Sequence, residues 1–432
     1  MKTLTVAAAS LAAALAAAAL PGTVWGLDGQ LLLDVVPTAA LVQQAPAAPW
    51  MQAETTELSA QGALSHTQAL ADGLSLSGTL WAVADSLPSG SPLSTPPAKL
   101  DLESRVLELK LSWEVVPGTL IVDGGKLLIH PSSGFFRTPL NILSRPALGT
   151  TANLSGSAVG SWEEGWVGAR ATLLVGNLTL STFFSPRVDW SDDADSVLAY
   201  VSSRQPDYQD LARATVRIGA TDVQVLGLVS GGGPGSADPA LHVTAGAGMD
   251  TGIGDAVTVR AEVSAADSTS RLVPGSTQVP LSVVTQSVAW APRALAGLTW
   301  TGADQLTVMA EYYYNGAGLG GSDYRQLISY SQALRGAPGA GPDLLDQFGT
   351  FSAGQHYVFA RIAGAVDTTL SAAAWATVNL QDFSGLSGVV LTATFDKWTL
   401  GASLLDAWGT TDTEAGLSPL LWRVDLEVSL FL

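Results

Sequence analysis

The chain has 432 residues, of which 47% are hydrophobic and only 13% charged, and its formal net charge is −18. The excess of carboxylates argues against a nucleic-acid partner, because phosphate binding needs clustered Lys and Arg. The sequence contains no cysteine, which excludes disulfide bonds, thiol chemistry and cysteine-ligated zinc.

The N-terminus predicts a secretory signal peptide over residues 1–26. Met1 and Lys2 precede an apolar run from Leu4 to Leu20, and Pro21-Gly22 then breaks the run, which disfavours an uncleaved anchor. No later apolar run is long enough for a transmembrane helix. The remaining chain is hydrophobic for a secreted protein, yet polar for a helical membrane protein. A transmembrane β-barrel resolves this conflict, because only every second residue of its strands faces lipid.

Residues 27–73 show the least regular pattern. Leu31 to Val36 reads as a strand, Pro37 to Pro49 is rich in Ala and Pro, and Glu54 to Ala71 fits a short helix as well as an irregular strand. We predict that residues 27–73 form an N-terminal periplasmic extension or a partial plug. Residues 74–432 are then the barrel.

From Leu74 onward, candidate strands follow one another to the end of the chain. In order they are Leu74 to Ala84, Val106 to Val115, Thr119 to Ile129, Gly165 to Val175, Leu178 to Pro186, Leu211 to Ala220, Val223 to Val229, Leu241 to Met249, Ala256 to Ser264, Ala294 to Trp300, Leu306 to Tyr314, Tyr357 to Ala365, Thr369 to Leu380, Gly388 to Phe395, Trp398 to Ala407 and Leu421 to Leu432. The sequence therefore predicts an all-β fold, a transmembrane antiparallel up-and-down β-barrel of about 16 strands, within a range of about 14 to 18.

The connections alternate between tight links, such as Gly176-Asn177, and longer ones, such as His130 to Glu164. Short periplasmic turns and long outer loops produce this order. The last strand then runs toward the periplasm. We expect Leu421 to Leu432 to contact the barrel-assembly machinery, although Phe431 is followed by Leu432 where a terminal aromatic residue is usual.

Polar residues occupy alternate positions of the strands and are predicted to face the lumen. The charged, pore-lining candidates are Arg170, Arg213, Arg217, Arg260, Glu262, Glu311, Arg361, Arg423, Asp425 and Glu427. Rings of charge set selectivity in pores. We hypothesise an arginine ladder that faces carboxylates across a water-filled channel. The alternative is that these charges neutralise one another in a plugged lumen.

Aromatic residues are expected to form girdles at the two membrane interfaces. Trp113, Trp300 and Trp398 would lie near the periplasmic ends of their strands. The outer girdle would contain Trp166, Trp408 and Trp422. Asp323 to Leu334 predicts a short helix with Asp323 as its N-cap, either folded into the mouth as a constriction or packed on the outer rim.

The histidines do not have a metal-binding or hydrolase spacing. They are His66, His130, His242 and His356. Catalysis by a barrel hydrolase would need a His poised beside a Ser or an Asp. We therefore predict that the protein is not an enzyme and that it has no metal and no cofactor.

Two segments resemble a poorly characterised group of large bacterial outer-membrane barrels, which are porin-like or akin to polysaccharide-export channels. One is Leu306 to Leu334, in which a strand containing E-Y-Y-Y-N-G leads into a short helix. The other is Gly124 to Pro146, which contains G-K-L-L-I-H-P-S-S-G-F-F-R-T-P-L-N. His130-Pro131 replaces the Trp-Gly usual in that group. The resemblance implies a barrel more firmly than it implies a substrate.

The sequence thus predicts a channel in the bacterial outer membrane for passive diffusion of small hydrophilic solutes or ions. Its surroundings would be outer-membrane lipid, and a homo-oligomer is compatible with the fold. One alternative is a structural or adhesive surface barrel with a closed lumen. Another is a transporter of polysaccharide or hydrophobic solutes.

Overall fold

A computed structural model describes residues 29–44, 53–87, 99–129, 138–140, 165–187, 207–232, 240–276, 282–302, 305–335, 353–417 and 420–431. Eighteen strands within these ranges form one sheet. They are β1 (Gly29–Gln44), β2 (Ala53–Ala71), β3 (Leu74–Leu87), β4 (Lys99–Val116), β5 (Leu120–Leu127), β6 (Trp166–Val175), β7 (Leu178–Ser185), β8 (Asp207–Ile218), β9 (Thr221–Gly232), β10 (Leu241–Ile253), β11 (Val257–Ala266), β14 (Ala291–Thr301), β15 (Thr307–Asn315), β16 (His356–Ala365), β17 (Leu370–Asn379), β18 (Gly385–Thr394), β19 (Trp398–Trp408) and β20 (Leu420–Phe431).

The sheet closes on itself. Each strand pairs antiparallel with its neighbours in chain order, β11 pairs with β14, and β20 pairs with β1 from Leu32↔Phe431 to Val42↔Leu420. Closure gives every barrel strand two hydrogen-bonded neighbours, so the sheet has no open edge, as a membrane-spanning sheet requires. The predicted antiparallel up-and-down barrel is confirmed, with 18 strands.

Each of the predicted strands from Leu74 onward corresponds to a barrel strand, but the prediction for residues 27–73 needs correction. Residues 29–44 and 53–71 form β1 and β2, which pair with each other and with β20 and β3. They complete the wall rather than extend or plug it. The Ala-rich and Pro-containing pattern hides them, because Pro37 and the small residues blur the alternation, whereas pairing with neighbours on both sides stabilises the strands. The predicted signal peptide lies outside the described residues.

Along the barrel strands, apolar residues of the outer face alternate with polar residues of the inner face. Val263 is 47% exposed whereas the adjacent Glu262 is 3% exposed, and Leu426 is 52% exposed beside Asp425 at 3%. Side chains one residue apart point to opposite faces. Exposed apolar residues therefore cover the outside, which suits contact with lipid.

Short turns join the strands at one end of the barrel, the short-turn end. Longer connections join them at the other end, the long-loop end. Trp113, Trp300 and Trp398 are exposed near the short-turn end, consistent with the expected girdle. Trp166 differs from its prediction, because it packs against a buried cluster inside the barrel. It occupies the same face of β6 as Arg170, so strand periodicity directs it inward.

Further elements lie in the connections at the long-loop end. β12 (Thr269–Ser276) and β13 (Ser282–Val288) form a separate hairpin. Helix α1 (Gly321–Arg335) contains the predicted helix but begins two residues earlier, so Asp323 lies in its first turn and is not its N-cap as predicted. Helix α2 (Glu414–Leu417) precedes β20. Among the described residues, no helix is long and apolar enough to cross a membrane.

Candidate channel interior

A basic region lies on the inner face of β6 and β8. Arg170 donates to the Oδ2 atom of Asp123 on β5, from Nε at 2.8 Å and from Nη2 at 2.7 Å. The Asp123 side chain is 3% exposed and that of Arg170 is 31% exposed, so the guanidinium still reaches solvent. Arg213 is half-buried and lies within electrostatic range of Arg170. The region thus holds two neighbouring guanidiniums, of which Arg170 is paired with Asp123.

An acidic region occupies the inner face of β10, β11 and β15. Arg260 lies between two carboxylates, with its Nη1 at 3.3 Å from Glu311 Oε1 and its Nε at 3.8 Å from Asp250 Oδ1. Arg260 Nη2 also donates to Thr299 Oγ1 at 3.4 Å. Glu262 adds a third, buried carboxylate on β11. Carboxylates outnumber guanidiniums in this group, opposite in sign to the region around Arg213.

The charged residues of β20 divide into a buried pair and a separate carboxylate. Arg423 Nε donates to Asp425 Oδ1 at 2.7 Å, and Ser403 Oγ donates to Asp425 Oδ2 at 3.0 Å. Residues two apart on a strand share a face, so this pair follows from period two. Glu427 is half-buried and accepts from Ser429 Oγ at 3.4 Å.

Two of the remaining predicted arginines lie in different settings. Arg217 is at the short-turn rim, where its Nε lies 3.8 Å from Asp222 and its side chain is 67% exposed. Arg361 lies on the inner face of β16, opposite Met309 on β15 and Trp375 on β17. It lines a recess of about 480 Å³ together with Glu427.

The barrel interior also contains two apolar clusters that the charge pattern does not predict. The first is built from Leu295, Met309, Tyr313, Tyr357, Phe359, Trp375, Leu386, Leu405 and Ala415. The second consists of Leu127, Ile129, Leu140, Phe183, Leu211, Leu226 and Leu228. One sequence signal was available: Tyr357, Val358 and Phe359 are consecutive, so that part of β16 is apolar on both faces.

The connection between β5 and β6 reaches into the barrel. Leu140, from the short described part of that connection, is fully buried. Its backbone N–H donates to Glu262 Oε2 at 3.4 Å. The Leu140 side chain lies over Gly246 and Gly248 of β10, where a Cβ added at Gly248 would meet Leu140 Cδ1 at 2.8 Å. The absent side chains of these glycines therefore leave the space that Leu140 occupies.

A buried polar network joins three connections at the long-loop end. Glu414 of α2 accepts hydrogen bonds from the Tyr357 hydroxyl at 2.9 Å, from Asn379 Nδ2 at 2.6 Å and from the Ala353 N–H at 2.8 Å. Asp382 accepts from the Tyr324 hydroxyl of α1 at 2.6 Å and from the Glu414 N–H at 2.7 Å. An apolar cluster of Leu319, Tyr324, Leu327, Ile328, Ala353 and Leu417 packs beside it. Helix α1 is thus fixed against α2 at the long-loop end.

No family model and no curated protein sequence matches this chain. Its fold is similar to that of solved outer-membrane channels. Against OccK7 (OpdD) of Pseudomonas aeruginosa the TM-score is 0.54, with 12% identity, 94% of this chain and 99% of that chain covered. Against OccAB1 of Acinetobacter baumannii the TM-score is 0.53, with 12% identity and 94% and 96% of the two chains covered. The similarity therefore shows a porin-like barrel fold.

Proposed function

We propose that this protein is a channel of the bacterial outer membrane through which small hydrophilic solutes or ions diffuse passively. The observation that carries the proposal is the reversal of polarity across a closed wall. Apolar side chains cover the outside, whereas ionisable side chains such as Arg170, Arg213 and Glu262 occupy the inside. Ionised groups inside a bilayer require water or partners, which a solvated lumen supplies. Diffusion through such a lumen involves no chemical step.

The charges inside the barrel are also separated by sign. The basic region of β6 and β8 lies on a different part of the wall from the acidic region of β10, β11 and β15. The two regions are neighbours around the barrel, since β9 alone separates β8 from β10. Adjacent regions of opposite charge produce a local field along the inner wall, and such a field sorts solutes by charge. We propose that Arg213 and Arg170 attract anions, while Glu262 and Glu311 attract cations.

Conductance in planar lipid bilayers tests the channel. The purified full-length protein should form steady open steps, and Arg213→Ala should shift the reversal potential toward cation selectivity. Arg271→Ala is the matched control, since Arg271 lies on the hairpin and bonds Gln286. An absence of current would overturn the channel. Unchanged selectivity in Arg213→Ala would overturn the charge field.

A closed surface barrel is the second candidate. The apolar cluster around Tyr357 and Phe359, with α1 and α2 packed at the long-loop end, favours it. In that case the loops would bind a partner outside the cell and the lumen would pass no current. The bilayer measurement separates the two candidates, because only an open lumen conducts.

The cellular setting follows from the proposed function. We infer an outer-membrane location, with the long-loop end outward and outer-membrane lipid around the apolar face. Recognition of Leu421 to Leu432 by the barrel-assembly machinery and assembly into a homo-oligomer remain predictions. Crosslinking in intact cells would test both.

A further inference from the structure

A recess in the inner wall of the barrel is lined in part by Arg361. It lies on the inner wall between β15 and β20, on the short-turn side of Trp375 and Phe359. Its volume is about 480 Å³. The indole of Trp375 lies over Gly388, where an added Cβ would meet the ring at 2.6 Å. The indole therefore packs on the wall at Gly388, two positions from Val390, which lines the recess.

Opposite charges mark the two sides of the recess. Arg361 is on β16 and Glu427 is on β20, with β17, β18 and β19 between them. Neighbouring strands lie about 4.8 Å apart, so the two strands are about 19 Å apart along the wall. Both side chains border the same recess. A solute lying in it would have a guanidinium toward one end and a carboxylate toward the other.

The wall between these charges is built from small residues and hydroxyls. Its members include Ala363, Ser371, Ala373, Thr392 and Thr399. Short side chains leave room for a solute, and hydroxyls replace some of the hydrogen bonds that the solute makes with water. The large apolar side chains of the interior cluster lie farther along the same strands, at Phe359 and Leu386.

We propose that this recess is a binding site for small zwitterions whose charges lie apart, with short peptides of two or three residues as the best fit. Arg361 binds the carboxylate, because guanidinium and carboxylate form charge-assisted hydrogen bonds. Glu427 binds the ammonium group. An extended peptide of two or three residues spans about 7 to 11 Å, and the long side chains of Arg361 and Glu427, which both line the recess, would have to span the remaining distance. This inference rests on the proposed channel and names its solute class.

Three peptides of one length test the site in planar bilayers containing the full-length protein. They are triglycine, which has both charges, N-acetyl-triglycine, which has only the carboxylate, and triglycine amide, which has only the ammonium group. Triglycine should interrupt the current with an affinity about tenfold above either capped peptide, because one charge-assisted contact is worth about that factor.

Variants assign the two ends. Arg361→Gln should lower the affinity for triglycine to that for triglycine amide, and Glu427→Gln should lower it to that for N-acetyl-triglycine. Ala373→Leu should lower the affinity for all three peptides, because the larger side chain fills part of the recess. Arg271→Gln and Asp323→Asn change the charge by the same amounts at positions outside the recess and should leave the affinities unchanged.

If the channel conducts and the three peptides interrupt its current equally, this would overturn the proposed binding site in the recess. The proposed channel function would still hold. The same result in Arg361→Gln as in wild type would overturn the binding site as well. If the protein passes no current, equilibrium dialysis of radiolabelled peptides against the detergent-solubilised protein decides separately. Selective binding of triglycine would then support the recess without transport, and no binding would overturn it.

Discussion

Asp123 and Arg170 form an ion pair in which only one partner is withdrawn from water. The carboxylate is 3% exposed and the guanidinium 31% exposed. Removing one partner of a fully buried pair costs about 3 to 5 kcal/mol. Asp123→Ala should lower the free energy of unfolding by less, about 2 kcal/mol, because solvent reaches the remaining guanidinium. Urea titration of the protein in lipid vesicles measures this change.

The Arg217–Asp222 pair is the matched control. Its Nε and Oδ1 atoms are 3.8 Å apart and its side chains are 67% and 49% exposed. Exposed pairs contribute about 0 to 1 kcal/mol, so Asp222→Ala should change the unfolding free energy little. Equal losses in the two variants would contradict the burial argument.

Among the elements, the inward connection and β10 depend on each other through two glycines. Valine at position 248 would place its Cβ 2.8 Å from Leu140 Cδ1, and valine is stiff about χ1. Gly248→Val should therefore displace Leu140 from the wall, widen the lumen and raise the single-channel conductance. Gly227→Val is the control, because no atom lies within 4 Å of an added Cβ there. A conductance that rises in both variants, or in neither, would contradict this role for Leu140.

The buried polar network of Tyr324, Asp382 and Glu414, which holds α1 at the long-loop end, is expected to weaken at high pH. Burial raises the pKa of Tyr324 well above its ordinary value of 10.0, and the negative charges of Glu414 and Asp382 raise it further. A raised folded-state pKa means that the stabilisation is complete below the unfolded-state pKa and decreases as the pH rises above it. The packing of α1 should therefore loosen above about pH 10.

Cleavage of α1 by proteinase K, followed from about pH 9 to about pH 11, measures this loosening. The wild type should be cleaved progressively faster than an unstructured reference peptide over that window. Tyr324→Phe should be cleaved faster at every pH, because Asp382 loses a donor worth about 1 kcal/mol. Its rate relative to the reference should not change with pH. A wild-type ratio that stays flat would contradict the titration of Tyr324.

For the whole molecule, the decisive feature is closure by β1 and β20. Asp34 lies opposite Ser429, and directly paired residues have Cα atoms about 4.5 to 5.5 Å apart, within disulfide range. Asp34→Cys with Ser429→Cys should form a crosslink that keeps the heated protein compact on a gel until reductant is added. The natural chain has no cysteine, so these would be its only thiols.

The pair Asp34→Cys and Glu427→Cys is out of register by two residues and should crosslink poorly. A plug or a periplasmic extension formed by the N-terminal segment would give no preference for Ser429. Such a result would contradict the assignment of β1 to the barrel wall.

The alternation along single strands predicted much of this structure. The inward positions of Arg170, Arg213 and Glu262 were predicted from period two, which is a local property of an extended backbone, and their role in lining a pore stays a prediction. The wall strands from Leu74 onward were found from the same alternation, whereas helix α1 was found from its helical spacing. β1 and β2 were missed because Pro37 and neighbouring alanines weaken the local pattern, and their pairing with β20 and β3 is not local.

The sequence by itself determined that apolar and polar residues alternate along many strands, and hence that the chain forms a barrel with charged residues inside. The tertiary structure alone decided which charges meet. Asp123 reaches Arg170 across 47 positions and Leu140 reaches Glu262 across 122. Such distances along the chain are bridged only by strand register and by the path of a connection. These depend on closing the whole sheet, which no local pattern encodes.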